Sequence, residues 1–327
     1  MSLKDIIGQE KAVRMLLGIL IRQKVASSYL FCGETGIGKK TAAVDFAKAL
    51  NCLNPQPAGP RITSDSPVDA CEECESCSKI KAGVHPDFLL ISPEERLIRI
   101  EEVRIIDDAL SYKPFEGRKK TVIVDDAETM NISAANAFLK TLEEPPQDSV
   151  IILVSSRPDL LPETIRSRCS RINFFPLSKA SCREVLAEKE KDAEKFSLAA
   201  RLSMGRPGIA LSSDLHEERK WVLNLLRGML HAEKDGWSSR DEMQRWFDHA
   251  LVLLRDMTVL KLTDDPRQLV NNDLEGYLTG LSKSVDVKVI IYIHQELSRI
   301  RRLLQFNLNK SITWNYTASM LRKGLVF

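Results

Sequence analysis

"SSYLFCGETGIGKKTAAVDFAKALNC", residues 27–52, runs from an apolar segment through a glycine-rich turn into a helical pattern. The apolar segment reads as a strand, Gly33, Gly36 and Gly38 as a sharp turn, and residues 40–52 as a helix with its apolar positions on one face. That order is the setting of a phosphate-binding loop, whose pattern is G-x-x-x-x-G-K-[ST]. Gly33, Gly38 and Lys39 match it, but Lys40 stands where a hydroxyl belongs, and the hydroxyl of Thr41 arrives one residue late. Backbone N–H groups and the helix N-terminus of such a loop cradle phosphate, and Lys39 would reach the terminal oxygens. The hydroxyl after the lysine normally faces Mg²⁺, so a second ammonium there competes with the metal. Two readings stay open on this stretch alone. Either Thr41 serves a working loop from a shifted position, or the turn has lost its nucleotide.

Outward from this stretch, "DFLLIS" (87–92), "KTVIVDD" (120–126) and "SVIILVSS" (149–156) are near-continuously apolar. Strands of that kind are buried on both faces, as in parallel sheets flanked by helices. Between them lie "RIEEVRIIDDALSY" (99–112), with Ile100, Val103, Ile106 and Leu110 on one face, and "NISAANAFLKTLEEPP" (131–146), capped around Asn131 to Ser133 and stopped by Pro145. The alternation predicts an open, doubly wound α/β domain. Beyond about residue 175 the strand signal vanishes. Short helices follow, then long helical patterns from about Glu217, broken by the polar stretches 231–241 and 262–268. The expected class is therefore α/β followed by all-α.

Composition agrees with a globular protein of two or three domains: 327 residues, 43% hydrophobic and 28% charged. No apolar run reaches bilayer length, and the N-terminus has acidic residues without an apolar h-region, so a cytoplasmic protein that meets no membrane is expected. With 47 basic and 45 acidic residues, a net charge of +2 disfavours a purely electrostatic nucleic-acid binder.

Between Leu50 and Gly83 the α/β rhythm lapses. Cys71, Cys74 and Cys77 stand at C-x2-C-x2-C spacing, and Cys52 can return to complete a tetrahedron. Four thiolates with no open position make a structural Zn²⁺ site, and the Pro/Gly/Ser-rich loop between them has little core of its own. The alternative is a set of reduced thiols or a redox pair. Cys32, Cys169 and Cys182 read as packing residues. At the end of the strand "TVIVDD", Asp125 and Asp126 occupy the positions where phosphate-loop ATPases carry a metal-ordering Asp and a water-polarising Glu. Asp126 is one methylene short for that second task. Glu128, two residues on, is expected to point elsewhere.

With these pieces in order, "LKTLEEPP" (139–146) followed by "LPETIRSRCSRINF" (161–174) resembles the AAA+ clamp-loader subunits of bacterial DNA polymerase III. The resemblance covers residues 1–215 with specific motifs and the rest by architecture and length. It implies an AAA+ parallel-sheet domain over 1–175 with a zinc-module insertion at about 50–82, a small helical lid over 176–213 and a C-terminal helical collar over 214–327. It also implies that Arg168, in Ser167-Arg168-Cys169, is an arginine finger acting on the ATP of an adjacent subunit. Ile7, in "DIIGQE", resembles the adenine-side segment, Ser155 or Ser156 the sensor 1 position, and Arg206, in "LSMGRPGIAL", the sensor 2 arginine. Two kinds of member share this plan: gamma/tau subunits with an intact loop, and delta-prime subunits with a degraded loop and a retained finger. "GKK", "VDDAE" and the chain length without a tail resemble the second. Such a subunit is expected in a hetero-pentameric ring with gamma/tau and delta subunits, reaching the sliding clamp and primed DNA through the complex. ATP and Mg²⁺ in its own site are the open question.

Overall fold

The computed structural model describes residues 1–59, 66–95, 97–187, 193–231, 236–263, 265–283, 285–306 and 308–325. Residues 60–65 of the expected metal module, 188–192 of the expected lid, and 232–235 and Asp264 of the polar breaks lie outside the described residues. The chain falls into two compact units, Met1–Lys189 with Gly205–Ile209, and Glu190–Met204 with Ala210–Phe327.

The first unit contains α1 (Glu10–Ile21), β1 (Ser28–Cys32), α2 (Lys39–Asn51), β2 (Gln56–Pro57), β3 (Pro67–Asp69), α3 (Glu75–Ala82), β4 (Phe88–Ile91), α4 (Ile100–Leu110), β5 (Lys120–Val124), α5 (Ile132–Glu143), β6 (Ser149–Ser155), α6 (Glu163–Arg166), β7 (Ser170–Asn173) and α7 (Lys179–Ala187). Five strands form one parallel sheet in the order β4-β5-β6-β1-β7, while β2 and β3 make a small antiparallel ribbon beside the cysteines.

Period-two alternation along the strands divides the interior into two cores. Tyr29, Phe31, Ile123, Val150, Ile152 and Val154 face Val13, Leu16 and Leu17 of α1 and Ala43, Phe46 and Leu50 of α2. Leu30, Val122, Val124, Ile151 and Leu153 face Val103, Ile106 and Leu110 of α4 and Ala134, Phe138 and Leu142 of α5. Each fully buried aliphatic or Phe side chain contributes about 1.5–3 kcal/mol, so both faces of the sheet must be covered. The α/β class expected for the first half therefore holds. Strand β7 had no apolar run to announce it, since Ile172 is its one buried residue. It sits at the sheet edge, where a single inward side chain suffices.

Polar hubs fasten the opposite edge. Asp87, fully buried before β4, accepts from the amides of Phe115, Glu116 and Gly117 at 2.7–2.8 Å. His85 accepts the Asp87 amide on Nδ1 at 3.0 Å and meets Ser76 of α3 through Nε2 at 3.2 Å. Burial pushes His85 down, which suits a neutral ring with its proton on Nε2. Asn51, at the end of α2, both donates to and accepts from the backbone of Lys119. The long 111–119 connection is thereby held without a core of its own.

The second unit is helical: α8 (Ala193–Leu202), part of α9 (Pro207–Ser212), α10 (Leu215–Leu230), α11 (Arg240–Thr263), α12 (Glu275–Ser282), α13 (Val287–Leu303) and α14 (Lys310–Leu325). The all-α expectation for this part holds. Its core is built around Trp237, Trp246, Phe247 and Trp314, whose rings pack 5.1–5.6 Å apart. Arg201 of α8 and Arg219 of α10 converge on Asp273. Buried Asp256 holds the amides of Val270 and Asn271 at 3.1 and 2.8 Å. No helix among the described residues is long and apolar enough to cross a membrane.

The Asp87 hub is testable. Burial would raise its carboxyl, but the three amides and Lys120 hold it below its ordinary value. A depressed folded pKa stabilises above pH 3.8, and that contribution is lost as pH falls through the folded value. Asp87→Ala orphans three amides, so urea unfolding at pH 7 is expected to show a loss of about 2–4 kcal/mol. A change within 0.5 kcal/mol would make the hub dispensable.

Candidate functional site

The glycine-rich loop lies at the C-terminal end of β1, where the Gly33 amide donates to Ser155 O of the neighbouring β6 at 3.3 Å. Gly38 caps α2 in the left-handed region, with φ of 94°. Gly36 also has a positive φ, 80°, and its carbonyl accepts from the Gly208 amide at 2.8 Å. A Cβ added at Gly208 would meet Gly36 Cα at 2.8 Å, so the loop and the 205–209 segment touch backbone to backbone. Neither position admits a side chain without displacing the other.

The loop's cationic groups already have partners. Lys39 is buried, and its ammonium donates to Glu34 O at 2.7 Å. Burial pulls its pKa down, opposed by Glu128, Asp126 and Asp125. Arg206 lies 3.6 Å from the Glu34 carboxylate. Lys40 Nζ sits 3.0 Å from Asp125 Oδ2 and 3.4 Å from Ser92 Oγ. Each helical residue advances about 100°, so Thr41 looks in a different direction from Lys40, and it is exposed.

Asp126 follows β5 in the left-handed region, φ 45°, and opens a 3-10 turn over Ala127–Thr129. Burial, Asp125 and Glu128 raise its carboxyl. That turn carries Glu128 back into the site rather than away from it. Glu128 Oε1 accepts from the Ser156 amide and hydroxyl and from the Arg157 amide, while the Arg157 amide also reaches Ser155 Oγ at 3.2 Å. Burial alone would raise Glu128, but these donors hold it low, so a carboxylate faces the buried Lys39. The expectation that Glu128 points elsewhere is therefore corrected. The loop, Asp125, Asp126, Ser155 and Arg206 come together. Thr41 is exposed, and Ile7 is half-buried. The neighbouring Gln9 does what the motif only hinted at: its amide donates to Ile37 O and Phe175 O at 3.1 and 2.7 Å, tying the N-terminal segment to the loop.

Arg168 belongs to a separate place. It follows α6, half-exposed, with Nη2 2.6 Å from Glu143 and Nη1 donating to Thr164 O at 2.8 Å. Arg166 faces Asp159 at 3.5 Å, and Arg171 donates to Asn173, so the three arginines next to one another in sequence are distinct in space. Cys169 is pushed up to about 12 by burial and by Cys32, and behaves as an inert packing thiol.

The four cysteines converge: the Sγ atoms of Cys52, Cys71, Cys74 and Cys77 lie within 4.8 Å of one another. Tetrahedral thiolates at about 2.3 Å from a metal ion are roughly 3.8 Å apart, and Cys52 and Cys74 stand at 3.9 Å. Amides point at the sulfurs, Cys71 N to Cys52 and Cys74 N to Cys71, both at 3.3 Å. Burial would raise Cys74, but the amides of Cys77 and Leu53 bring it down to about 6. The cluster can hold a metal ion.

These features match known proteins. The family model described as DNA polymerase III, delta subunit, covers residues 8–178. A Pseudomonas aeruginosa DNA polymerase III subunit delta' is 33% identical over 88% of this chain and 89% of its own. The chain belongs to the DNA polymerase III delta-prime family. A Bacillus subtilis member, also subunit delta', is 26% identical over 97% of both chains. The related Bacillus subtilis subunit tau is 37% identical over 52% of this chain and 28% of its own length.

The metal cluster gives the prediction here. Metal analysis of the purified chain is expected to find about one ion, and Cys74→Ser to remove it and lower the melting midpoint by about 5 °C or more. Equal metal content in the two proteins would exclude the four-thiolate site.

Proposed function

We propose that this chain serves as the delta-prime subunit of the bacterial DNA polymerase III clamp loader, a hydrolysis-defective ring member that supplies Arg168 to a neighbour's ATP. It would sit with gamma/tau and delta subunits in a five-membered cytoplasmic ring that loads the sliding clamp onto primed DNA. The metal held by Cys52, Cys71, Cys74 and Cys77 is read as Zn²⁺, because a closed four-thiolate set with amide donors suits a structural zinc site.

The observation that carries this reading is a division of charge. Lys40, after the loop lysine, is spent on Asp125, whereas Arg168 is half-exposed and held by Glu143 and one carbonyl. The chain's own loop lacks a hydroxyl at the metal-facing position, and Asp126 is too short to take the place of the water-polarising Glu. At the neighbouring site, Arg168 would bring a fixed charge and five donors to the oxygens on which negative charge builds during phosphoryl transfer. Its departure from Glu143 exchanges one anion for another. The reading of an active ATPase using Thr41 is disfavoured by the turn of about 100° that separates that residue from Lys40 on α2.

In a loader reconstituted with gamma/tau and delta subunits, Arg168→Ala is expected to slow hydrolysis at the adjoining site by roughly 10²-fold or more. Single-turnover hydrolysis with clamp and primed DNA would register this as the loss of one site's fast phase. An unchanged fast phase would remove Arg168 from the reaction.

A further inference from the structure

The fold family implies Mg²⁺ beside the phosphates, and the residues of this chain do not fit it. Magnesium demands octahedral oxygen ligands at about 2.0–2.1 Å. Of the two protein groups that would order it, the hydroxyl is replaced by Lys40, and Asp125 is in contact with the Lys40 ammonium at 3.0 Å. An ion bound to that carboxylate oxygen would lie no more than about 5 Å from the ammonium, two positive centres competing for one carboxylate. Thr41, at the next position of α2, lies about 100° further round the helix from Lys40. The surrounding charges are Lys39, Asp126 and Glu128, and Glu128 is already engaged with Ser156 and Arg157.

We propose that the Lys40 ammonium is the resident cation of this site: it takes the place of the divalent metal and excludes it. The inference deepens the reading of the loop as hydrolysis-defective and is independent of what Arg168 does for a neighbour. The tethered ammonium performs the metal's bridging role by covalent attachment. From the first turn of α2 it reaches Asp125, just beyond β5, and Ser92, just beyond β4. A metal makes such a link only when nucleotide and ion are both bound. Here the link is written into the chain.

The pair is partly open to water, with the Lys40 side chain 45% and the Asp125 side chain 17% exposed. Lys40 therefore has room to swing aside, and metal binding is a fair trial of the claim. Mn²⁺ is the probe, followed by electron paramagnetic resonance on the full-length chain in the presence of ADP, with Lys40→Ser and Lys40→Met alongside. Wild type is expected to bind no Mn²⁺ beyond that carried by free ADP. Lys40→Ser, which clears the ammonium and restores a hydroxyl, is expected to bind it at least tenfold more tightly than wild type. Lys40→Met, which removes the charge alone, should fall between them and melt below wild type in metal-free buffer. Tight Mn²⁺ binding by wild type overturns the proposal, as does a Lys40→Ser protein that folds normally and gains none. If Lys40→Ser fails to fold, Lys40→Met and wild type decide: equal Mn²⁺ affinity in those two overturns the proposal. None of these results bears on the fast phase in the loader that tests Arg168, so the two readings fail separately.

Discussion

Two-sided burial of the central strands is the constraint from which the first unit follows. Because β1, β5 and β6 are covered on both faces, their side chains are committed to packing, and chemistry is left to the loops at their C-terminal ends. The parallel register then aligns those ends, with Cys32 beside Ser155 and Val124 beside Leu153. The glycine loop, the Asp125–Asp126 pair and the Ser155–Ser156 turn meet because β1 and β6 end side by side and β5 ends two residues short of them, leaving Asp125 and Asp126 to cover that step. Glu128 and Arg206 are placed by local turns, but the rest of the site needs no individual placing. It inherits its position from the sheet.

Within that frame the site is settled by electrostatic pairing. Each cation has an acceptor from the chain itself: Lys39 has the Glu34 carbonyl, Lys40 has Asp125 and Arg206 has the Glu34 carboxylate. Burying an ammonium such as Lys39 without acceptors would be costly, and three nearby carboxylates return part of what desolvation takes away. A nucleotide site normally leaves such groups waiting for phosphate. In this one the charges are balanced within the chain.

What could be read from the sequence was what repeats or is spaced. The apolar runs of β1, β4, β5 and β6 declare buried strands, and C-x2-C-x2-C declares a thiolate cluster to which Cys52 is the natural fourth member. What escaped depends on single residues or on long-range closure. Strand β7 offers one buried side chain, Ile172, and no periodicity can be drawn from one point. Glu128 was misjudged because a 3-10 turn reverses its direction within two residues. Lys40 could be seen to lack a hydroxyl, but the carboxylate its ammonium would find could not be seen. Gln9, Asn51 and Asp87 are buried polar residues whose partners are backbone groups remote in sequence, and a pattern of residue types records none of them.

The pair between Arg168 and Glu143 has a further meaning. Both side chains are substantially wetted, 35% and 50% exposed, and ion pairs in that setting contribute about 0–1 kcal/mol. Such a clasp, with the bond to Thr164 O, biases the guanidinium toward one orientation without locking it. A buried pair would have locked the arginine, and an unpaired one would have left it sweeping through many rotamers. The wetted clasp gives it a preferred direction and leaves it free to turn, like a compass needle resting lightly against its stop.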